Sequence, residues 1–134
     1  GLSQLKKINK FLDIRRKNAV IFKELFKDNP YFLIQKEIGC SSWFGFSLII
    51  KDNKKFKRKD LIKFLLANNI EFRPIVSGNF LRSRAIDYFN YSVHGELENA
   101  NYLHDNGLFI GNHHIDMTKS IEYLHKILKV EFNL

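Results

Sequence analysis

The sequence has 134 residues, of which 45% are hydrophobic and 14% aromatic, and its formal net charge is +8 at pH 7. This length and composition predict one globular domain with a core of its own and exclude a disordered chain. No run of about 18 apolar residues occurs, and the start has no signal-peptide pattern, so neither a membrane span nor secretion is expected. A single cysteine, Cys40, cannot form an internal disulfide, and we expect a cytoplasmic location.

The positive charge is compatible with an anionic partner, such as nucleic acid, a nucleotide or a membrane surface. It does not distinguish among these partners. The densest basic run spans residues 51–60 and is typical of a solvated loop that leads into a helix. No series of aromatic residues repeats beside it, as a surface for single-stranded nucleic acid would require. Nucleic acid therefore stays an alternative partner rather than the expected one.

Apolar residues recur at helical steps from Leu2 to Phe26, which predicts one amphipathic helix ending at Asn29-Pro30. Arg15 and Arg16 interrupt the apolar stripe of this helix. The pattern begins at the first residue without an N-cap, which indicates a piece of a longer protein. Residues 31–38 are expected to form a loop or a short strand.

Alternating apolar residues predict a strand over residues 44–50, with one apolar face. Trp43, at its entrance, is interpreted as a core residue, with a ligand wall as the alternative. The later predicted elements are helix 59–69, strand 70–73, one helical turn at most within residues 80–90, helix 96–106, strand 108–110 and a last helix capped by Asp116 or Thr118.

The stretch from Glu71 to Asn79 places an arginine at a strand end, ahead of a polar turn. Pro74 cannot donate to a ladder, so the strand should stop there or lie at a sheet edge. Ser77-Gly78-Asn79 has the composition of a turn. The guanidinium of Arg73 can form a two-pronged contact with phosphate or carboxylate, and a surface arginine is the alternative.

A second polar cluster, Asn112-His113-His114, follows strand 108–110, and we expect it to converge with the first cluster at one sheet edge. Adjacent histidines are expected to point apart, and the zinc-protease spacing is missing, so no metal site is predicted. Cys40 as a nucleophile would need a histidine nearby in space. No glycine-rich phosphate loop or serine-hydrolase elbow occurs, so the residues alone predict no complete active site.

Several segments together resemble the C-terminal part of the DegT/DnrJ/EryC1/StrS family of pyridoxal-phosphate-dependent sugar enzymes. Residues 1–5 (GLSQL) and 15–18 (RRKN) resemble the family's G-x-x-Q-L and R-x-x-N helix. Residues 42–46 resemble the first strand of its small domain, and residues 69–79 resemble the segment that reaches toward the substrate. The resemblance covers nearly the whole chain.

Two loops differ from the aminotransferase pattern within this family. Residues 73–79 (RPIVSGN) stand in place of an H-Y-P-x-H-like run, and residues 110–114 (IGNHH) in place of the commoner L-P-L-H-P. Both replacements resemble the 3-dehydratase branch. That branch removes the C3 hydroxyl of a GDP- or CDP-linked 4-keto-6-deoxyhexose, in deoxysugar and lipopolysaccharide O-antigen biosynthesis.

The resemblance implies a division of labour between two domains. Pyridoxal phosphate and the catalytic residues would belong to an N-terminal domain, so this chain alone would be inactive and would hold no cofactor. The full-length enzyme would form a homodimer. This chain would supply one wall of the nucleotide-sugar site, and the residues expected to contact that substrate are Arg73, Ser77, Asn79, Asn112 and His113, with Arg82 as a second candidate for the diphosphate.

The fold implied by the resemblance is α+β, with a small, mainly antiparallel sheet covered by helices on one face, as in the C-terminal domain of fold-type I enzymes. Residues 1–134 would be this single small domain, and residues 1–28 the helix leading out of the large domain. One alternative is the same domain of a nucleotide-sugar aminotransferase, which differs at an upstream lysine or histidine position. Another is a free-standing basic module that binds nucleic acid.

Overall fold

The computed structural model describes residues 1–52 and 55–132. Residues 53–54 and 133–134 lie outside this range, and with them part of the basic run 51–60. The elements in chain order are α1 (Leu2–Leu5), α2 (Ile8–Phe26), β1 (Phe32–Ile34), β2 (Gly45–Ile50), α3 (Arg58–Ala67), β3 (Arg73–Pro74), two short 3-10 helices (Phe80–Arg82 and Arg84–Tyr88), α4 (Glu98–Asn106), β4 (Gly107–Gly111) and α5 (Thr118–Phe132).

The four strands form one antiparallel sheet in the order β1-β2-β4-β3. In the central pair, Phe46 lies opposite Ile110 and Leu48 lies opposite Leu108. The edge strand β3 has only two residues, of which Pro74 lies opposite Leu108. Proline has no N–H for a ladder, so its edge position agrees with the sequence prediction. The α+β class and the antiparallel sheet are confirmed.

The core lies between one face of the sheet and helices α2, α3 and α5. Side chains alternate along a strand, so every second residue of β2 points to this face. There the ring of Phe46 stacks on Phe22 with 4.4 Å between centroids, and Phe22 stacks on Phe26 at 4.7 Å. The buried apolar residues of this core are Ala19, Phe22, Phe26, Phe32, Trp43, Phe46, Leu48, Ile50, Phe56, Leu61, Leu65, Leu108, Ile110, Ile121, Leu124 and Leu128.

Trp43 is 2% exposed, which confirms its interpretation as a core residue. Its left-handed φ of 50° turns the chain just before β2. Consequently Phe44, predicted to continue the buried face of the strand, is exposed and lies outside β2. Its ring instead lies 6.0 Å from that of Phe109. The strand therefore begins one residue later than the alternation predicted.

Helix α4 contacts β2 and β4. The hydroxyl of Tyr102 donates to the carbonyl of Ile50 at 2.8 Å. Ile49, whose side chain alternates away from the core face, is also buried. Helices α2, α3 and α5 cover one face of the sheet, as predicted. The predicted arrangement did not include the contacts of α4 with the sheet.

Local backbone hydrogen bonds change two further predicted elements, the first helix and the strand 70–73. The first helix is interrupted at Lys6 and Lys7, where Lys7 N–H donates to the carbonyl of Gln4, a three-residue step that tightens the turn. The predicted strand 70–73 was placed too early, because Ile70 N–H still donates to Leu65 in the cap that ends α3. Pairing with β4 starts only at Arg73. Among the described residues, no helix is long and apolar enough to cross a membrane.

Candidate functional site

The loop of residues 75–82, which follows β3, is fastened to α4 by Asn79. This asparagine is buried, and its side-chain amide donates to Asn101 at 2.8 Å. Its backbone N–H donates to Nδ1 of His104 at 3.2 Å, and its side-chain oxygen accepts from Leu81 N–H. Gly78, with a φ of +59°, passes so close to His104 that an added Cβ would lie 2.6 Å from Nδ1. The loop is therefore held on α4 by the hydrogen bonds of Asn79 and by a close approach that only a glycine at position 78 permits.

Two of the predicted substrate residues are exposed on this side of the domain. Arg73 lies opposite Phe109 in the sheet, and its Nη1 donates to the adjacent carbonyl of Phe72 at 3.1 Å. Ser77 is exposed in the loop. The ion pairs of the described residues do not include Arg73, so its guanidinium can meet an anionic group. The second candidate, Arg82, is already paired with Asp105 at 2.6 Å.

The turn of residues 112–117, which follows β4, is fixed to α2 by two buried asparagines. The side-chain amide of Asn112 donates to the carbonyls of Arg15 and Trp43, at 3.0 and 2.8 Å. The Asn18 amide donates to the side chain of Asn112 and to the carbonyls of His113 and Ile115. The Asn18 oxygen accepts from the N–H of Met117 at 3.1 Å. Asn112 is therefore a structural residue of this turn, whatever else it contacts.

His113 is exposed at this turn, and its ring stacks on that of His114 with 4.2 Å between centroids. The ring of His114 in turn lies 4.1 Å from Phe11. The expectation that the adjacent histidines point apart is wrong, because the backbone bends here instead of continuing as a strand. Partial burial, and then repulsion from His113, Arg15 and Lys7, lower the pKa of His114. The neutral form of this imidazole is therefore favoured.

The structure does not bring the two predicted polar clusters together. β3 and β4 are antiparallel, so the loop with Ser77 and Asn79 runs toward the start of β4, beside His104. Asn112 and His113 follow the other end of β4. Five residues of strand separate these ends, which is about 17 Å at the usual rise per residue. The expected convergence of the two clusters is therefore wrong. Neighbouring antiparallel strands run in opposite directions, so the loops that follow them leave from opposite ends of the sheet.

A groove of about 740 Å³ connects the turn 112–117 with the segment ahead of β3. It lies beside the part of β4 that continues past the two-residue strand β3. The groove is mostly apolar, and it brings His113 and Asn112 together with Glu71. Its lining residues are Arg15, Phe44, Phe46, Asn68, Asn69, Ile70, Glu71, Phe109, Ile110, Gly111, Asn112, His113, Met117, Lys119, Ser120, Ile121, Tyr123 and Leu124.

Arg15, Phe44 and Phe109 belong to this groove although the sequence analysis did not predict them as site residues. The ring of Phe109 can lie over the neighbouring strand β2 because Gly45 has no side chain. A Cβ at Gly45 would lie 2.7 Å from the Phe109 ring. The guanidinium carbon of Arg15 lies 5.8 Å from the centroid of the Phe44 ring. A sequence signal for Arg15 existed, since it interrupts the apolar stripe of α2.

Neither a metal nor pyridoxal phosphate finds a complete site among the described residues. They contain no group of three or more histidine, cysteine or acidic side chains that could hold a metal ion. The described lysines lie at the surface, fully or half exposed, whereas a lysine bonded to pyridoxal phosphate needs a closed pocket. The residues described here do not fit the cofactor by themselves.

Residues 1–128, almost the whole chain, match the DegT/DnrJ/EryC1/StrS aminotransferase family. The chain belongs to this family. It is 50% identical over 130 residues to a GDP-4-keto-6-deoxy-D-mannose 3-dehydratase of Yersinia pseudotuberculosis, which is 96% of this chain and 33% of that protein. The chain thus spans about a third of the length of the curated relatives that it matches.

Two solved structures resemble the fold to different degrees. The E. coli GDP-4-keto-6-deoxy-D-mannose-3-dehydratase with bound hydrated PLP matches at a TM-score of 0.92 and 51% identity, over 96% of this chain and 33% of its own. PseC, an aminotransferase of Helicobacter pylori, matches at a TM-score of 0.75 and 21% identity, over 99% of this chain and 36% of its own. The second likeness is one of fold alone.

Proposed function

We propose that this chain is the C-terminal small domain of a pyridoxal-phosphate-dependent 3-dehydratase that acts on a GDP-linked 4-keto-6-deoxyhexose. The observation that carries the proposal is the 50% identity, over 96% of the chain, to the dehydratase of Yersinia pseudotuberculosis. Identity to the aminotransferase PseC is only 21%. The loops 73–79 and 110–114 favour the same branch. A cytoplasmic location, suggested by the single Cys40, stays a prediction.

In this proposal the chain contributes substrate contacts rather than reacting groups. Arg73 is exposed and outside the described ion pairs, so its fork of N–H donors is available to the diphosphate. Ser77 and His113 are exposed and can donate to or accept from hydroxyl groups. Asn79 and Asn112 are buried, and we assign them the role of holding the two loops that present these side chains.

The cofactor would be held by the part of the protein that is missing from this chain. Pyridoxal phosphate supplies the electron sink of such reactions, and the protein supplies orientation and electrostatics. The residues described here would orient the substrate and limit access of water. We therefore expect this chain alone to be inactive.

Exposed apolar side chains indicate where the missing domain or a second subunit would pack. Val76, Tyr88, Phe89 and Tyr91 lie within 16 residues of one another and are between 54 and 88% exposed. A contiguous patch of exposed apolar groups marks an interaction surface, and exposed apolar side chains within one short segment favour such a patch here. Leu2 and Leu5 of α1 are exposed as well. We propose that these residues are covered in the full-length homodimer.

The proposed function is tested by product analysis with the full-length protein. With GDP-4-keto-6-deoxy-D-mannose and pyridoxal phosphate, we expect a product that has lost the C3 hydroxyl. A product that keeps this hydroxyl and carries an amino group in place of the keto oxygen would identify an aminotransferase instead. Salt-dependent affinity for mixed oligonucleotides, without turnover of the sugar, would favour the nucleic-acid alternative.

A further inference from the structure

A short segment after the second 3-10 helix has the sequence pattern of a strand but is not part of the sheet. Residues 89–93 (FNYSV) alternate apolar and polar side chains, with aromatic and β-branched residues at the apolar positions. This pattern is typical of a half-buried strand. The segment belongs to none of the four strands, although the backbone of Phe89 is extended, with φ −120° and ψ 144°. In the part of the chain that the structure describes, this strand pattern has no partner strand.

Both the side chains and the backbone of this segment face solvent. Phe89, Tyr91 and Val93 are 60, 54 and 53% exposed. Among residues 1–52 and 55–132, none forms a backbone–backbone hydrogen bond with residues 90–96. An extended segment with free N–H and C=O groups and exposed apolar side chains is a template for pairing with a further strand.

The two ends of this segment carry opposite charges. Arg84 precedes it, and Glu96 and Glu98 follow it. All three are exposed, and the ion pairs of the described residues include none of them. Nearer the middle, Asp87 precedes the segment and His94 follows it. Antiparallel alignment of two such segments therefore brings Arg84 of each copy to the acidic end of the other, and Asp87 to His94. A parallel alignment would place like charges together, which is destabilising.

The apolar side chains match in the same antiparallel alignment. If a two-fold axis passes at Tyr91, this residue lies opposite its own copy, and Phe89 lies opposite Val93 of the second copy. Side chains alternate along a strand, so these three residues share one face. Aromatic and β-branched residues opposite each other stabilise an antiparallel pair. A two-fold contact also repeats each of these pairs twice, so a short segment contributes two Phe–Val pairs and two basic–acidic contacts.

We propose that residues 89–93 form an antiparallel strand pair with the same segment of a second copy of this chain. The observation that selects a second copy is that the segment is complementary to itself, in charge and in side-chain pattern. The pairing gives the homodimer of the proposed function a contact surface, and in that respect it rests on the proposed function. It requires neither substrate nor cofactor. Association of this chain and product analysis with the full-length protein are separate measurements, so either can fail without the other.

The pairing is tested by sedimentation velocity of the 134-residue chain, at concentrations up to about 1 mM and in about 0.15 M salt, which screens its net charge. We expect a reversible equilibrium between monomer and dimer. Tyr91→Lys places two cations opposite each other at the axis and should weaken dimerisation by about a hundredfold or more, with an unchanged circular dichroism spectrum. Val130→Lys introduces the same cation at a 72% exposed position of α5 and should leave the dimer unchanged.

Charge reversal tests the two-fold symmetry of the contact. Arg84→Glu and Glu96→Arg each replace both basic–acidic contacts by like charges, and each should weaken dimerisation by about tenfold. A mixture of the two variants restores opposite charges at both contacts, so a mixed dimer should form with the affinity of the parent chain. Lys63→Glu reverses the charge of an exposed residue of α3 and should leave dimerisation unchanged.

Three results would overturn the proposal. They are a chain that stays monomeric at every concentration, a dimer that Tyr91→Lys leaves unchanged, and a mixture of the two charge variants that associates no better than either variant alone. In the first case, limited proteolysis with chymotrypsin identifies the other occupant. Cleavage at Tyr88, Phe89 or Tyr91 in this chain, but not in the full-length protein, would assign the segment to the missing domain instead.

Discussion

The turn 112–117 and the loop 75–82 are both polar segments that follow strands, but the fold holds them by different means. The turn is fixed from inside, by Asn18 and Asn112, which are 2 and 3% exposed. The loop is held against helix α4, by the hydrogen bond from Asn79 to Asn101 and by the close passage of Gly78 over His104. The buried asparagines therefore shape these two segments, whereas exposed side chains beside them, such as Arg73, remain accessible to a ligand.

Removing the internal clamp should have the largest effect on stability. In Asn18→Ala, Met117 N–H and the Asn112 side chain lose their buried partner. We expect the free energy of unfolding to fall by about 2–4 kcal/mol, because buried groups are left unsatisfied. Urea denaturation measures this change. Lys17→Ala, at the exposed neighbouring position, should change it by under about 0.5 kcal/mol, and equal losses in both variants would show that the clamp has no special role.

Closing the space over His104 should have the next largest effect. In Gly78→Ala the new methyl group would meet His104 at 2.6 Å from Nδ1 and 3.0 Å from Cα, at a left-handed φ. We expect a loss of about 1–3 kcal/mol. Gly39→Ala is the matched control, since Gly39 also has a positive φ but no atom lies within 4 Å of its added Cβ. If thermal denaturation shows equal losses of stability for the two variants, the positive φ alone explains the loss in Gly78→Ala, and the contact with His104 does not contribute.

Acidification should affect the turn through His114. The folded-state pKa of His114 is lowered, chiefly by partial burial, so the unfolded chain binds this proton more readily. The stability linked to this group is complete above the ordinary value of about 6.5 and decreases as the pH falls below it. His114→Phe keeps an aromatic ring against Phe11 and cannot titrate. Its melting temperature should depend less on pH below about 6.5 than that of the parent chain, and identical pH profiles would contradict this assignment.

Much of the fold could be predicted from the sequence. Alternation placed β2 to within one residue, and Pro74 indicated the edge strand. The break at Lys6 and Lys7 and the late start of β3 depend on local backbone hydrogen bonds that hydrophobic periodicity does not encode. Strand direction was also outside the pattern, and the family resemblance supplied it.

The candidate site was less predictable than the fold. The segments with Arg73 and His113 were correctly identified as loops after strands, but their separation follows from the antiparallel register. The burial of Asn79 and Asn112 depends on partners 22 to 97 residues away in the chain, which no local pattern reveals. Arg15 did leave a signal, since an arginine in an apolar stripe predicts a residue with a particular task.

We propose that Arg73 contacts the nucleotide-sugar substrate, and kcat/KM of Arg73→Ala in the full-length protein tests this most directly. We expect a loss of about 2–5 kcal/mol in transition-state stabilisation, as for a charged contact in a shielded site, with an unchanged melting temperature. Lys63→Ala, an exposed cation on α3, should cost under about 1 kcal/mol. Unchanged kcat/KM in Arg73→Ala would make Arg73 an ordinary surface arginine, and a parallel loss of activity and stability would make it a packing residue; either result would contradict the claim.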